Sequence, residues 1–210
     1  MKNRFLKISL ISLGSLLLFA FAFNGFPKVT ETDRAYIDSF LNEWKIKANT
    51  ESIHKNFESE FAFVSEVQDS LLLTFKSVQR PNDSVGNMAA YFRHRSGICY
   101  DRAMILEKIF NAYGFDVRHI YVYFNTDSNT TNFSDFFRKG LHSHALLEVN
   151  TKRGWMVVGS NQNWIGLDAN GNPLDLGEVR TLLKQASFTT AKPSSLGNNF
   201  FSRSEEHTSE

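Results

Sequence analysis

Apolar positions follow helical spacing through the first half of the chain and strand-like runs through the second. In "TDRAYIDSFLNEWKIKAN", Ile37, Phe40, Leu41 and Trp44 share one side of a helix, with Thr32 or Asp33 available as its N-cap. A second helical pattern carries Ile53, Phe57, Phe61, Val64 and Leu71 on one side. The turn formers of "RPNDSVG", residues 80–86, break this pattern, and a short helix from Asn87 to Phe92 is expected next. From Cys99 the residues Ala103, Leu106, Phe110 and Tyr113 line one helical face, with Ile109 beside them, and Gly114 is placed to end the helix as a C′ residue.

Beyond Gly114 the pattern changes. "VRHIYVYF" (Val117 to Phe124) is β-branched and aromatic and reads as a strand. A long polar loop follows, with a helical turn expected near Phe136. "HSHALLEVN" reads as the next strand and "GWMVVG" as its hairpin partner across "TKR". A further strand-like piece, a Gly/Asn turn and a short helix from Gly177 complete the pattern. Helices first, then a helix bearing Cys99, then antiparallel strands describe an α+β domain with segregated layers.

Both ends stand apart from this domain. Residues 1–22 combine Lys2, Arg4 and Lys7 with an apolar run from Ile8 to Phe23, and Ala20 and Ala22 offer an A-x-A-like cleavage site. The run is short for a spanning helix, so an exported protein with a cleaved signal peptide is expected, periplasmic or extracellular. Membrane contact is expected only if that segment stays uncleaved as an anchor. Residues 203–210, "RSEEHTSE", match an in-frame translation of a sequencing-library adapter and are read as an artefact, which removes His207 from every site argument. Between these ends the divisions are a helical region over 23–79, a core over 80–192 and a Ser/Asn/Gly-rich tail over 193–202.

The 210 residues suffice for one domain with a sizeable core, and twenty phenylalanines make that core aromatic. A formal charge of +1 gives no electrostatic reason to expect a nucleic-acid partner. The single cysteine excludes an intramolecular disulfide, and an unpaired thiol in an exported protein asks for a reason.

Cys99 follows Gly97 at the first turn of its helix, where unpaired N–H groups and the helix dipole favour a thiolate over the ordinary thiol. Its own N–H could also meet a developing oxyanion. The same position equally suits a small apolar residue that begins the buried stripe of Ala103 and Leu106. A nucleophile needs a base in addition, and the choices are His54, His94, His119, His142 and His144. His54 is expected on an exposed helix face, His94 in the approach to Cys99, and His119 on a strand of unsettled facing. His142 and His144 alternate with Ser143 and Ala145, so both face one side of a strand. No third ligand with convincing spacing joins this H-x-H pair, so no metal is expected and a Cys–His pair explains it better. No cofactor is expected.

The ordered set "RSGICYDRAMILEKIFNAYGFDVRHIYVY", "HSHALLEV" and "GWMVV" resembles the transglutaminase-like superfamily of papain-like thiol enzymes, over roughly Arg80 to Asp168. The resemblance implies a papain-like fold, a helix-borne Cys99 as nucleophile packed on an antiparallel sheet, and His144, directly before Ala145, as base. It aligns Arg118 and Trp155 with residues that support the structure. It implies amide or peptide bonds in a peptide or protein substrate, hydrolysed or transferred. The family's aspartate, however, falls on Gly159, which cannot orient an imidazole. Asn161 is one stand-in and Asp168 a more distant one. Gly159 is otherwise either a one-base sequence error or the mark of a degenerate domain that binds a peptide or envelope component without catalysis.

Overall fold

In the computed structural model the described residues are 29–78, 86–124 and 142–188; the signal-like segment, the loop with Phe136 and the C-terminal tail lie outside them. Six helices and one three-stranded antiparallel sheet make an α+β arrangement among these residues. The helices are α1 (Glu31–Glu43), α2 (Thr50–Ile53), α3 (Phe57–Thr74), α4 (Met88–His94), α5 (Cys99–Ala112) and α6 (Leu176–Phe188). The strands are β1 (Val117–Phe124), β2 (His142–Thr151) and β3 (Gly154–Gly159), in the order β1-β2-β3 with β2 central. None of the described helices is long and apolar enough to cross a membrane.

Local chemistry sets the helix boundaries. Thr30, rather than Thr32 or Asp33, caps α1: its hydroxyl accepts the Asp33 N–H while the Asp33 carboxylate takes the Thr30 N–H. The capping box needs its acidic partner three residues on, and Thr30 has one in Asp33. The second helical stretch is two helices, because Asn56 caps α3 and breaks the chain after α2. Asn87 caps α4 as its sequence position suggests. Gly114 adopts φ +88° after α5, the left-handed conformation that releases a helix into a strand.

The sheet divides the interior. Register pairs Tyr121 with Ala145 and Val122 with His144, and alternate residues along each strand face opposite sides. Val117, Ala145, Leu147 and Val149 join the main core with Ala103, Leu106, Phe110 and the apolar stripes of α1 and α3. Ile120, Val122, Leu146 and Val157 lie on the other face with Leu174 and Val179. One face of the sheet therefore carries the Cys99 helix and the other carries α6 and the segment before it.

Candidate functional site around Cys99

The start of α5 is built on a close approach. Asp101 is fully buried and folds back so that its carboxylate accepts the Ile98 N–H at 2.9 Å and the Tyr91 hydroxyl at 3.1 Å. A Cβ on residue 97 would lie 2.5 Å from the Asp101 Cβ, so only glycine fits there. Gly97, Ile98 and Asp101 thus form one unit: the buried carboxylate anchors the chain, and glycine makes room for it. Ile98 is the N-cap residue and its side chain has no acceptor to offer the first turn. Cys99 opens that turn and is half-buried.

Two residues of this turn tie α5 to the sheet. Tyr100 stacks on Tyr121 of β1, ring centroids 6.2 Å apart. Arg102, one turn after Cys99, is 4% exposed and reaches the other way. Its guanidinium donates to the Phe75 carbonyl at 2.6 Å and to Asn161 Oδ1 at 3.2 Å, while its Nε is buried without a partner. Burial pushes the Arg102 guanidinium down from its ordinary value, and the charge of a Cys99 thiolate opposes that shift. Arg102 was invisible to the motif-based reading; its spacing of three from Cys99 was the available signal.

His144 stands in β2 opposite Val122, beside Ala145, whose register partner Tyr121 is in the stack with Tyr100. It therefore lies at the end of the sheet crossed by the first turn of α5. Strand alternation, however, turns His144 to the face of Val122 and Leu146, away from the face of Ala145 and Leu147 on which α5 packs. No hydrogen bond joins its imidazole to Cys99 among the described residues. Burial holds the imidazole below its ordinary value, so it is neutral at pH 7. His142 shares β2, but its side chain lies outside the described residues.

Asn161 and Asp168 separate clearly. The β2–β3 register ends at Leu146 and Gly159, and the buried Ser160 hydroxyl donates to the Ala145 carbonyl one step further. Asn161 follows in the loop after β3, with its amide oxygen held by Arg102. Asp168 lies beyond the Val158–Ile165 bridge on a segment running back along β3, which carries it to the opposite end of the sheet. Its carboxylate accepts the Asn170 and Asn172 N–H groups, both at 2.8 Å, and closes its own turn.

Gly159 is enclosed by backbone. A Cβ there would sit 2.8 Å from the Gln162 carbonyl oxygen and 3.2 Å from that of Trp164. Gln68, buried in α3, donates its amide to the carbonyls of Gly159 at 2.8 Å, Trp164 at 3.0 Å and Gln162 at 3.3 Å. The loop after β3 is drawn tight onto residue 159, which leaves no room for a carboxylate. Glycine is the residue this loop requires.

Two of the remaining histidines have structural partners. His54, expected on an exposed helix face, caps α2 half-buried: its Nδ1 meets Glu60 at 2.8 Å and its Nε2 the Tyr113 carbonyl at 2.9 Å. The polar reach of its ring overrode the helical pattern. His119 faces α5, with Nδ1 2.9 Å from the buried Glu107 carboxylate, its ring against Tyr100 and Tyr121, and Nε2 buried without a partner. His94, in α4, is exposed.

Arg118 and Trp155 pack together on the far face. The guanidinium lies 3.7 Å above the indole ring and 3.7 Å from Glu148. Among the described residues no group of three His, Cys, Asp or Glu side chains is placed to hold a metal ion. Neither a scan of protein-family models nor a search of curated proteins finds a match for the chain.

Proposed function

We propose that this protein is an exported thiol enzyme of transglutaminase-like, papain-like type that hydrolyses or transfers an amide or peptide bond through Cys99. The observation that carries the reading is the hydrogen bond from Arg102, one helical turn after Cys99, to Asn161 of the loop that leaves the sheet after β3. The Cys99 sulfur attacks the carbonyl carbon, forming S–C as the carbonyl electron pair moves to oxygen. The N–H groups at the start of α5 stabilise that oxyanion. Collapse breaks C–N, and the leaving nitrogen takes a proton from water relayed through the neutral imidazole of His144. The hydroxide so formed attacks the acyl carbon and displaces the thiolate, or an acceptor amine does so and its proton returns the hydroxide to water.

A second reading, a non-catalytic module that binds a peptide or envelope component, is favoured by two observations. Gly159 leaves no place for a carboxylate, and β2 turns His144 from the face of α5. Incubating the purified mature protein and Cys99→Ser with a defined mixture of peptides, followed by mass spectrometry, separates the two. Cleaved, deamidated or cross-linked products from the wild type alone support the enzyme. No product from either protein, with peptide retained by both, establishes the binding module.

A further inference from the structure

We propose that the tyrosine face of β1, stacked on the residue after Cys99, binds a basic side chain, lysine or arginine, of the peptide substrate. That specificity rests on the reading of Cys99 as the nucleophile of an enzyme directed at amide or peptide bonds. His119, Tyr121 and Tyr123 alternate along β1 and share the side that faces α5, where Glu107 meets His119 and Tyr100 meets Tyr121. Tyr121 and Tyr123 are nevertheless 47% and 43% exposed, and Ile98, two residues before Tyr100, is 44% exposed. Large apolar side chains left open beside a candidate site mark a surface that a ligand covers.

The chemistry of this face selects a cation. Tyr121 stacks on His119 at 4.9 Å and on Tyr100 at 6.2 Å between ring centroids, and Tyr100 and His119 lie 5.4 Å apart. Behind these rings stands the buried carboxylate of Glu107, 2.9 Å from His119 Nδ1. With a neutral imidazole donating its Nδ1–H, the pair keeps one negative charge. Burial first, and then Tyr100 and Glu107, push the Tyr121 hydroxyl up, which keeps the phenol neutral at pH 7. Arg118, the cation of β1, is turned to the opposite face, over Trp155 and against Glu148. Aromatic faces attract cations through their quadrupole, and a carboxylate behind them adds to the attraction. An ammonium or guanidinium laid over the exposed parts of Tyr121 and Tyr123 gains from both. An acidic side chain meets repulsion there, and an apolar one gains burial alone.

The test is an NMR titration of Cys99→Ser, which removes the thiol and with it turnover. The probes are two short alanine-based peptides carrying lysine or norleucine at one position. The lysine peptide is expected to move the Tyr121 and Tyr123 ring signals and to bind about five-fold tighter than the norleucine peptide. Tyr121→Phe is expected to keep that preference, and Tyr121→Leu, with folding checked by circular dichroism, to lose it. Equal affinity for the two peptides, or a lysine preference that survives in folded Tyr121→Leu, overturns the proposal. Should Tyr121→Leu fail to fold, Tyr123→Leu is read in its place, and an undiminished preference there overturns the proposal. Wild-type turnover of the same peptides keeps the two failures apart. Products formed without a lysine preference overturn the basic subsite and leave the nucleophile. A lysine preference in binding with no product overturns the enzyme and leaves the subsite to a binding module.

Discussion

A Cβ at Gly97 would lie 2.5 Å from the Cβ of Asp101, so the glycine two residues before Cys99 exists to admit a buried carboxylate. The Gly-x-Cys spacing is thus explained by packing as well as by the turn into the helix. Gly97→Ala must displace either Asp101 or the chain leading into α5. A loss of about 1–3 kcal/mol is expected, read from urea or thermal unfolding. A neutral effect would show that Asp101 can move without cost.

Asp101 carries the complementary prediction. Asp101→Ala leaves the Tyr91 hydroxyl and the Ile98 N–H without the buried acceptor that serves both. A destabilisation of about 2–3 kcal/mol is expected, with slower alkylation of Cys99 as the first turn loosens. Unchanged stability would contradict the anchoring role.

Gly159→Asp places a carboxylate where the resemblance to transglutaminase-like enzymes expects one, and the crowding at residue 159 gives the opposite expectation to a gain of function. The new Cβ meets the carbonyl oxygens of Gln162 and Trp164, and its carboxylate would enter a cluster of acceptors. Lower thermal stability and no rise in turnover are expected, with a cost of about 2–4 kcal/mol. A stable, faster enzyme would show that Gly159 replaced a functional aspartate. Gln68→Leu tests the same loop from the other side: it strips three carbonyls of their shared donor and is expected to cost about 2–3 kcal/mol.

Two pH dependences follow from Asp33 and His144. Burial alone pushes the Asp33 carboxyl up, but the Lys108 ammonium and the Thr30 N–H and hydroxyl outweigh it and hold the group below its ordinary value. The unfolded chain then binds the proton more readily, so this contribution is full above the ordinary carboxyl range and is lost as pH falls through the folded value. Lys108→Met should flatten that acid limb in denaturant titrations. His144 also has a depressed folded value, from burial. Its contribution is full above the ordinary value of 6.5 and is lost as pH falls below it. His144→Gln should remove the decline below the ordinary value of 6.5; an identical decline in the variant would contradict the burial of this imidazole.

Much of the frame was legible because hydrophobic period and turn chemistry act locally. Gly114, Asn87 and the hairpin across residues 151–154 were readable where they stand, since each needs only its neighbours. Thr30 was passed over for Thr32 and Asp33 because a capping box depends on the pairing of two side chains, which periodicity does not show. His54 misled because a helical wheel gives no information about Tyr113, far along the chain.

The candidate site was legible only in its parts. Cys99 and His144 could be picked out by type and order, but which face β2 turns to α5 depends on register, a two-residue period that one step reverses. Arg102 was missed because its meaning lies in acceptors far along the chain, the Phe75 carbonyl and the Asn161 amide. The crowding at Gly159 was not legible, because Gln68, which closes the loop over it, lies on a distant helix.

The central claim is that the fold activates Cys99, and the chain's one cysteine permits a direct comparison of folded and unfolded states. The measurement is the rate of iodoacetamide alkylation at pH 6, in native buffer and in denaturing urea, followed by intact mass. The account predicts that the native protein reacts about ten-fold faster than the unfolded one, despite the partial burial of the sulfur. A native rate equal to or below the unfolded rate would make Cys99 a core residue and contradict the account.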